Sequence, residues 1–291
     1  MPPARRAREE RITTAISESK FSCQTTVRLR CGFMNPNRVK WMLKRGEVTF
    51  GTWVSIGNPD VAEILSNLGF DWLVFDTEHG PLSIETVESM IQATSGTGVV
   101  PLVRVGGNDM VMIKRALDIG AYGVIVPLVN NREDAKNAVA YTRYPPRGVR
   151  GAGPRRCSIY GMRAKEYFDW ADKEILTMVQ VETAQAVENI EEIITVDGVD
   201  AFFVGPTDLT TSLGVRGDQN HPKFTQALEK VLDAGKKHGV PAGTMTYSIE
   251  EARKALERGF KFVNLSTDFR HLIQGARGML ETVRGTERKS S

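Results

Sequence analysis

Eight short apolar runs alternate with longer stretches of helical period from residue 35 onward, and nothing else in the 291-residue chain constrains its fold as strongly. The runs are Val48–Val54, Trp72–Asp76, Val100–Arg104, Gly123–Pro127, Leu176–Val181, Ala201–Val204, Val240–Met245 and Phe262–Leu265. Between them lie Asp60–Leu68, Ser83–Thr94, Asp109–Ile119, Arg132–Thr142, Ala184–Ile194, Lys223–His238 and Ile249–Arg258. The runs are apolar throughout rather than alternating, as befits parallel strands covered on both faces. Ser83 and Ser248 stand where helix N-caps belong, and Gly69, Gly120, Gly239 and Gly259 close helical stretches where a C′ glycine belongs. Eight such units predict a closed (β/α)8 TIM barrel over residues 34–285. An open doubly wound sheet would have fewer strands, and the Gly-x-Gly-x-x-Gly of its dinucleotide-binding form does not follow the first strand. Tyr144–Tyr167 is rich in Pro, Gly and Arg, lacks helical period, and reads as a long active-site loop.

Composition narrows the function classes. The chain is 41% apolar and 25% charged, ordinary for a globular enzyme. The net charge of +3 is misleading, because residues 1–33 hold seven Lys/Arg against three Glu and the rest of the chain is at −1. A nearly neutral body gives no electrostatic case for nucleic acid or an anionic membrane. Cys23 and Cys31 lie in the leader and Cys157 is alone in the body, so neither a disulfide framework nor a thiolate metal site is indicated. No apolar run approaches the roughly 18 residues of a membrane span, and the cytoplasm is the default location. Residues 1–33 read as a disordered leader or as translated sequence upstream of a start at Met34; an organellar transit peptide is the third reading, and Glu9 and Glu10 argue against it. Residues 286–291 read as a polar tail.

Polar residues cluster just past the apolar runs, where a barrel assembles its active site. Asp76-Thr77-Glu78-His79 follows the second run, Arg104 ends the third, Gln180 and Glu182 close the fifth, and Gly205-Pro206-Thr207-Asp208 follows the sixth. Gln180 and Glu182 share one face of a strand. An inward glutamate needs a partner, and Asp208, past the next strand, is the natural second carboxylate. Two oxygen donors beside substrate oxygens suit a hard or borderline divalent ion such as Mg2+ or Mn2+. A Glu182–Arg104 salt bridge is the structural alternative. His79 has a neighbouring charge and a strand-end position, which fit a proton-transfer role, and Asp118 is a candidate to hold its imidazole. Arg104 suits a carboxylate or a developing oxyanion. The amides of Thr207 and Asp208, after the permissive Gly205, could receive an anion. The only strand lysine, Lys261, stands at the wrong end of strand eight for Schiff-base chemistry, and no serine elbow or Cys/His pair appears.

These motifs resemble the HpcH/HpaI family of class II, metal-dependent pyruvate aldolases. The marks run from Gly51-Thr52-Trp53 through Asp76-Thr77-Glu78-His79-Gly80-Pro81, Val103-Arg104, Arg143 to Gly151, Gln180-Val181-Glu182-Thr183 and Gly205-Pro206-Thr207-Asp208-Leu209. The resemblance implies aldol cleavage of a 4-hydroxy-2-oxo acid to pyruvate and an aldehyde through a pyruvate enolate. It implies Glu182 and Asp208 as ligands of Mg2+, Mn2+ or Co2+, with Gln180 beside them. It assigns the pyruvate carboxylate to the amides of Thr207 and Asp208, the enolate oxygen to Arg104, and proton transfer to a His79–Asp118 dyad. Asp76 and Glu78 would order water around the metal. A homohexamer or trimer with an exchanged C-terminal helix is also implied. A related barrel lyase acting on an acyl-CoA is the rival enzyme, although no basic patch for a CoA diphosphate is evident. A catalytically silent binding barrel is the rival outside enzymes.

Overall fold

The structure, a computed structural model, describes residues 34–153 and 155–285, so the leader and the polar tail lie outside the described residues. In chain order the elements are α1 (Arg38–Lys44), β1 (Thr49–Val54), α2 (Pro59–Ser66), β2 (Trp72–Asp76), α3 (Ile84–Ala93), β3 (Val100–Arg104), α4 (Met110–Asp118), β4 (Gly123–Val126) and α5 (Arg132–Thr142). There follow α6 (Ala164–Glu174), β5 (Leu176–Val181), α7 (Ala184–Glu188), α8 (Ile190–Ile194), β6 (Ala201–Val204), α9 (Pro206–Ser212), α10 (Pro222–His238), β7 (Ala242–Thr246), α11 (Ile249–Glu257), β8 (Phe262–Thr267) and α12 (Asp268–Arg284). The eight strands pair in order, all parallel, and β8 closes on β1. This is the expected (β/α)8 barrel. No described helix is long and apolar enough to cross a membrane.

Strand parity divides the apolar residues into two cores. Trp72, Val74, Leu102, Ile125, Met178, Phe203 and Phe262 fill the barrel, with Trp72 and Phe262 stacked at 3.7 Å. Their strand neighbours, such as Leu73, Phe75, Val103 and Val179, pack outward on the helices. The interior is tight at Gly51, where a Cβ would lie 2.1 Å from the Trp72 ring. Helix starts follow the sequence: Ser83 Oγ accepts from the Thr86 N–H (3.2 Å) and Ser248 Oγ from that of Glu251 (3.1 Å).

Helices α1, α6 and α9 are among the elements that escaped the sequence reading. Helix α1 plugs the amino end of the barrel: Val39 and Leu43 join the interior core, while Lys40 Nζ donates to the Ile175 carbonyl (2.8 Å) and pairs with Asp200 (3.0 Å). Seven residues carry too few periods to announce a helix. Helix α6 lies within and beyond the stretch expected to be an active-site loop. That stretch leaves the C-terminus of α5 and leads to the start of β5, so it begins at the amino ends of the strands, away from the barrel mouth. The expectation of an active-site loop is therefore corrected by topology, since only segments that follow a strand reach the carboxyl face.

Candidate active site

At the carboxyl face, adjacent strand ends bring two carboxylates onto one guanidinium, with Glu182 as a neighbouring charge. Asp76 and Arg104 are register partners on β2 and β3. Arg104 Nε donates to Asp76 Oδ1 (2.9 Å) and Nη2 to Oδ2 (2.7 Å), while Nη1 forms an ion pair with Glu78 Oε2 at 3.0 Å. A guanidinium has five N–H groups, so two remain for another acceptor. The Trp53 ring lies 5.6 Å from the Arg104 guanidinium carbon, and its indole N–H is buried without a partner. The Glu182–Arg104 bridge considered from sequence is replaced by this fork. Arg104 belongs to Asp76 and Glu78, and Glu182 reaches it only as a neighbouring charge.

Asp76 also builds the turn that presents His79. Its Oδ1 accepts the N–H groups of Glu78 (3.1 Å) and His79 (3.3 Å), and Thr77 donates its hydroxyl to the Arg104 carbonyl (2.7 Å). Gly80 is required there, because a Cβ would lie 2.3 Å from the Asp76 carbonyl oxygen. The His79 side chain is exposed at the mouth.

Glu182 is buried past β5. Its Oε1 accepts the N–H of Leu128 (2.8 Å), a residue held at φ +56° just past β4, and its Oε2 accepts from the Gln180 amide. The Gln180 carbonyl oxygen is buried and unpartnered. Gly205 closes the gap: a Cβ there would stand 3.1 Å from Gln180 Nε2 and 3.4 Å from Glu182 Oε2. Asp208, in the first turn of α9, is exposed. Burial pushes the Glu182 carboxyl up. The Leu128 amide and the Gln180 and Arg104 side chains pull it down, while the Asp208 charge pushes it up again. Glu78 is likewise raised, first by burial, with Arg104 opposing and Glu182 adding to it.

Among the described residues, no three His, Cys, Asp or Glu side chains converge as a ready ligand cluster. The residues present nonetheless fit a divalent cation. The buried, unpartnered side-chain oxygen of Gln180 stands beside the Glu182 carboxylate, and the Asp208 charge acts on Glu182, an oxygen-donor set that suits a hard cation. Substrate oxygens and water would fill the remainder.

Asp118 is not brought to His79 within the chain. It ends α4, which returns from the mouth to the amino ends of the strands, and a five-residue strand separates the two levels by roughly 16 Å. Its Oδ1 instead accepts from Arg150 Nη2 (2.7 Å). Arg150 is fully buried, its guanidinium 4.7 Å from the Tyr144 ring, and it also donates to the Tyr167 hydroxyl (3.0 Å). The sequence reading also missed Asp268 at the end of β8. This acid accepts the N–H groups of Ser55 (2.8 Å) and Ile56 (2.7 Å), tying the β1 loop to α12. The signal was the one that marked Asp76 and Asp208, an acid directly past an apolar run.

Comparison with known proteins follows the same boundaries. Residues 49–275 match the family model described as HpcH/HpaI aldolase/citrate lyase. A 5-keto-4-deoxy-D-glucarate aldolase from Enterobacter sp. (strain 638) is 41% identical over 234 residues, 80% of this chain and 91% of the relative. A crystal structure of an HpcH/HpaI aldolase/citrate lyase family protein from Burkholderia cenocepacia J2315 superposes with a TM-score of 0.82 at 38% identity, covering 85% and 99% of the two chains. A citrate lyase beta subunit from M. tuberculosis, at 15% identity and a TM-score of 0.53 over 79% and 95% of the chains, shares the fold alone.

Proposed function

Because the chain belongs to the HpcH/HpaI aldolase/citrate lyase family and is a carbon–carbon lyase of the pyruvate-aldolase type, we propose that it cleaves a 4-hydroxy-2-oxo sugar acid to pyruvate and an aldehyde with the strand-end residues just described. The observation that carries this assignment is the Arg104 fork, gripped by Asp76 and Glu78 with two N–H groups to spare, beside Glu182, Gln180 and Asp208. The sugar-acid class is taken from likeness to the Enterobacter relative.

Glu182 and Asp208 would hold a divalent cation, Mg2+, Mn2+ or Co2+, with Gln180 beside them. When bound, it supplies Lewis acidity to the carboxylate and C2 carbonyl oxygens of a 2-oxo acid. The amides of Thr207 and Asp208, after Gly205, would receive the substrate carboxylate. Arg104 would turn its two remaining N–H groups on the C2 oxygen, which gains negative charge as the C3–C4 bond breaks. Its aim is set in advance, because Asp76 and Glu78 hold the guanidinium before substrate arrives. His79 would take the proton from the 4-hydroxyl, and the pyruvate enolate would then be protonated at C3. Asp76 and Glu78 would in addition order water near the cation. Asp118 has no part in these steps within one chain.

Assembly and location complete the proposal. Only Asp268 of α12 is buried, while Leu272, Ile273, Met279, Leu280 and Val283 are exposed along it, which suits a helix exchanged between subunits of a hexamer or trimer in the cytoplasm. The test is cleavage of 5-keto-4-deoxy-D-glucarate, read as pyruvate release, with and without added Mg2+ or Mn2+ and after chelation. Metal-dependent release supports the reading. Failure on this and on a panel of other 4-hydroxy-2-oxo acids, together with turnover of an acyl-CoA, would replace it.

A further inference from the structure

We propose that Arg270 and Tyr247 form a subsite for a carboxylate on the aldehyde half of the substrate, so that the enzyme selects aldehydes carrying their own negative charge. The inference rests on the pyruvate-aldolase reading of the same barrel mouth and adds the group that distinguishes one aldehyde from another.

Charge at the mouth leaves such a tail without a cation near the reacting carbons. Asp76 and Glu78 already engage the Arg104 guanidinium, and Glu182 and Asp208 add two more negative charges just past β5 and β6. A divalent ion would serve the 2-oxo acid end. A second carboxylate several bonds away would meet a negative wall unless another cation lies along its path.

Arg270 is placed to be that cation. Tyr247 directly follows β7, the strand beside β6, whose end leads into Asp208. Tyr247 is half-buried at the carboxyl end of β7, the same face of the barrel on which Arg104 ends β3 and Asp208 follows β6; burial is the first cause raising its phenol. Arg270 lies in the first turn of α12, straight after β8, with its guanidinium carbon 4.2 Å from the centre of the Tyr247 ring. Its side chain is exposed, and no ion pair engages it among the described residues. The nearby Glu251 carboxylate is turned to its own loop, accepting the Tyr247 N–H at 2.7 Å. Stacking on an aromatic face restrains a long side chain while leaving the edge N–H groups free for a bidentate carboxylate. The ring and the guanidinium thus make a restrained cation at the rim, on the β7–β8 side of the mouth.

The experiment is run on the full chain in the condensation direction, with pyruvate and two pairs of aldehydes: glyoxylate against acetaldehyde, and succinic semialdehyde against butanal. Wild-type enzyme is expected to prefer the acidic member of at least one pair. Arg270→Ala should lower kcat/KM for that acidic aldehyde at least about tenfold, mainly through KM, while leaving the neutral one within about twofold. Arg270→Lys should recover part of the loss, because it restores the charge without the planar fork. Equal losses for acidic and neutral aldehydes, or a wild type with no acidic preference, overturn the subsite. Deuterium exchange into pyruvate alone separates the two levels of argument. Exchange retained in Arg270→Ala with no change in aldehyde preference sinks only the subsite, whereas no exchange in wild type sinks the pyruvate-aldolase reading beneath it.

Discussion

Replacing Arg104 by methionine keeps much of the side-chain volume and removes the charge that joins β3 to the turn after β2. In the folded chain the guanidinium is 9% exposed, and its partners Asp76 and Glu78 are 7% and 14% exposed. The variant loses two charge-assisted hydrogen bonds at 2.9 and 2.7 Å and an ion pair at 3.0 Å. It also leaves two carboxylates facing each other near Glu182. Breaking a buried pair by removing one partner costs about 3–5 kcal/mol, and urea melts with an unchanged slope should read that deficit at pH 7. The pH dependence provides a second check. Burial already raises Glu78 and Arg104 opposes it, so without Arg104 the folded-state value rises further above the unfolded one. A raised folded value means that the native state binds the extra proton between the two values. Stability therefore falls as pH rises through that window, and the deficit of the variant should shrink on acidification from neutrality. Adding Glu78→Gln should recover about 1 kcal/mol or more, since the two sites are in contact and not additive. A deficit below about 1 kcal/mol, unchanged with pH and unrelieved by Glu78→Gln, would refute the claim that the two carboxylates are what hold Arg104 in place.

Two further outcomes follow from close contacts and exposure. Gly205→Ala places a Cβ 3.1 Å from Gln180 Nε2 and 3.4 Å from Glu182 Oε2. The enzyme should stay folded with a loss of about 1–3 kcal/mol, yet need more metal for half-maximal activity in a metal titration; an unchanged titration would show that Gly205 does not set the Glu182 position. Replacing Leu272 and Val283, 66% and 85% exposed on α12, by glutamate should reduce the assembly measured by sedimentation velocity without melting the barrel. An unaltered oligomer would place the subunit contacts elsewhere.

Much of this molecule was legible because barrels repeat one physical pattern. Strands covered on both faces must be apolar throughout, so Trp72–Asp76, Val100–Arg104, Leu176–Val181 and Ala201–Val204 coincide with the observed elements. Strand-end polar residues were visible for the same reason: Asp76, Arg104, Gln180 and Glu182 interrupt runs that packing would otherwise keep apolar. What the sequence hid is which of these groups pair. Arg104 chooses Asp76 and Glu78 because the β2–β3 register sets Asp76 beside it, and register is not written in spacing. Asp118 was drawn to His79 by charge, but helix polarity carries it to the other end of the barrel and to Arg150. Tyr247 and Arg270 lie on different strand–helix units and meet only once β7 and β8 are neighbours.

The central claim is that this barrel mouth makes the enolate of pyruvate, and hydrogen–deuterium exchange at the pyruvate methyl group, followed by proton NMR in heavy water, tests it without any choice of aldehyde. The account predicts exchange with Mg2+ or Mn2+, loss of exchange on chelation, and loss in Glu182→Ala and Arg104→Ala variants that remain folded. Exchange absent with every divalent metal at neutral pH, or exchange undiminished in those variants, would contradict it.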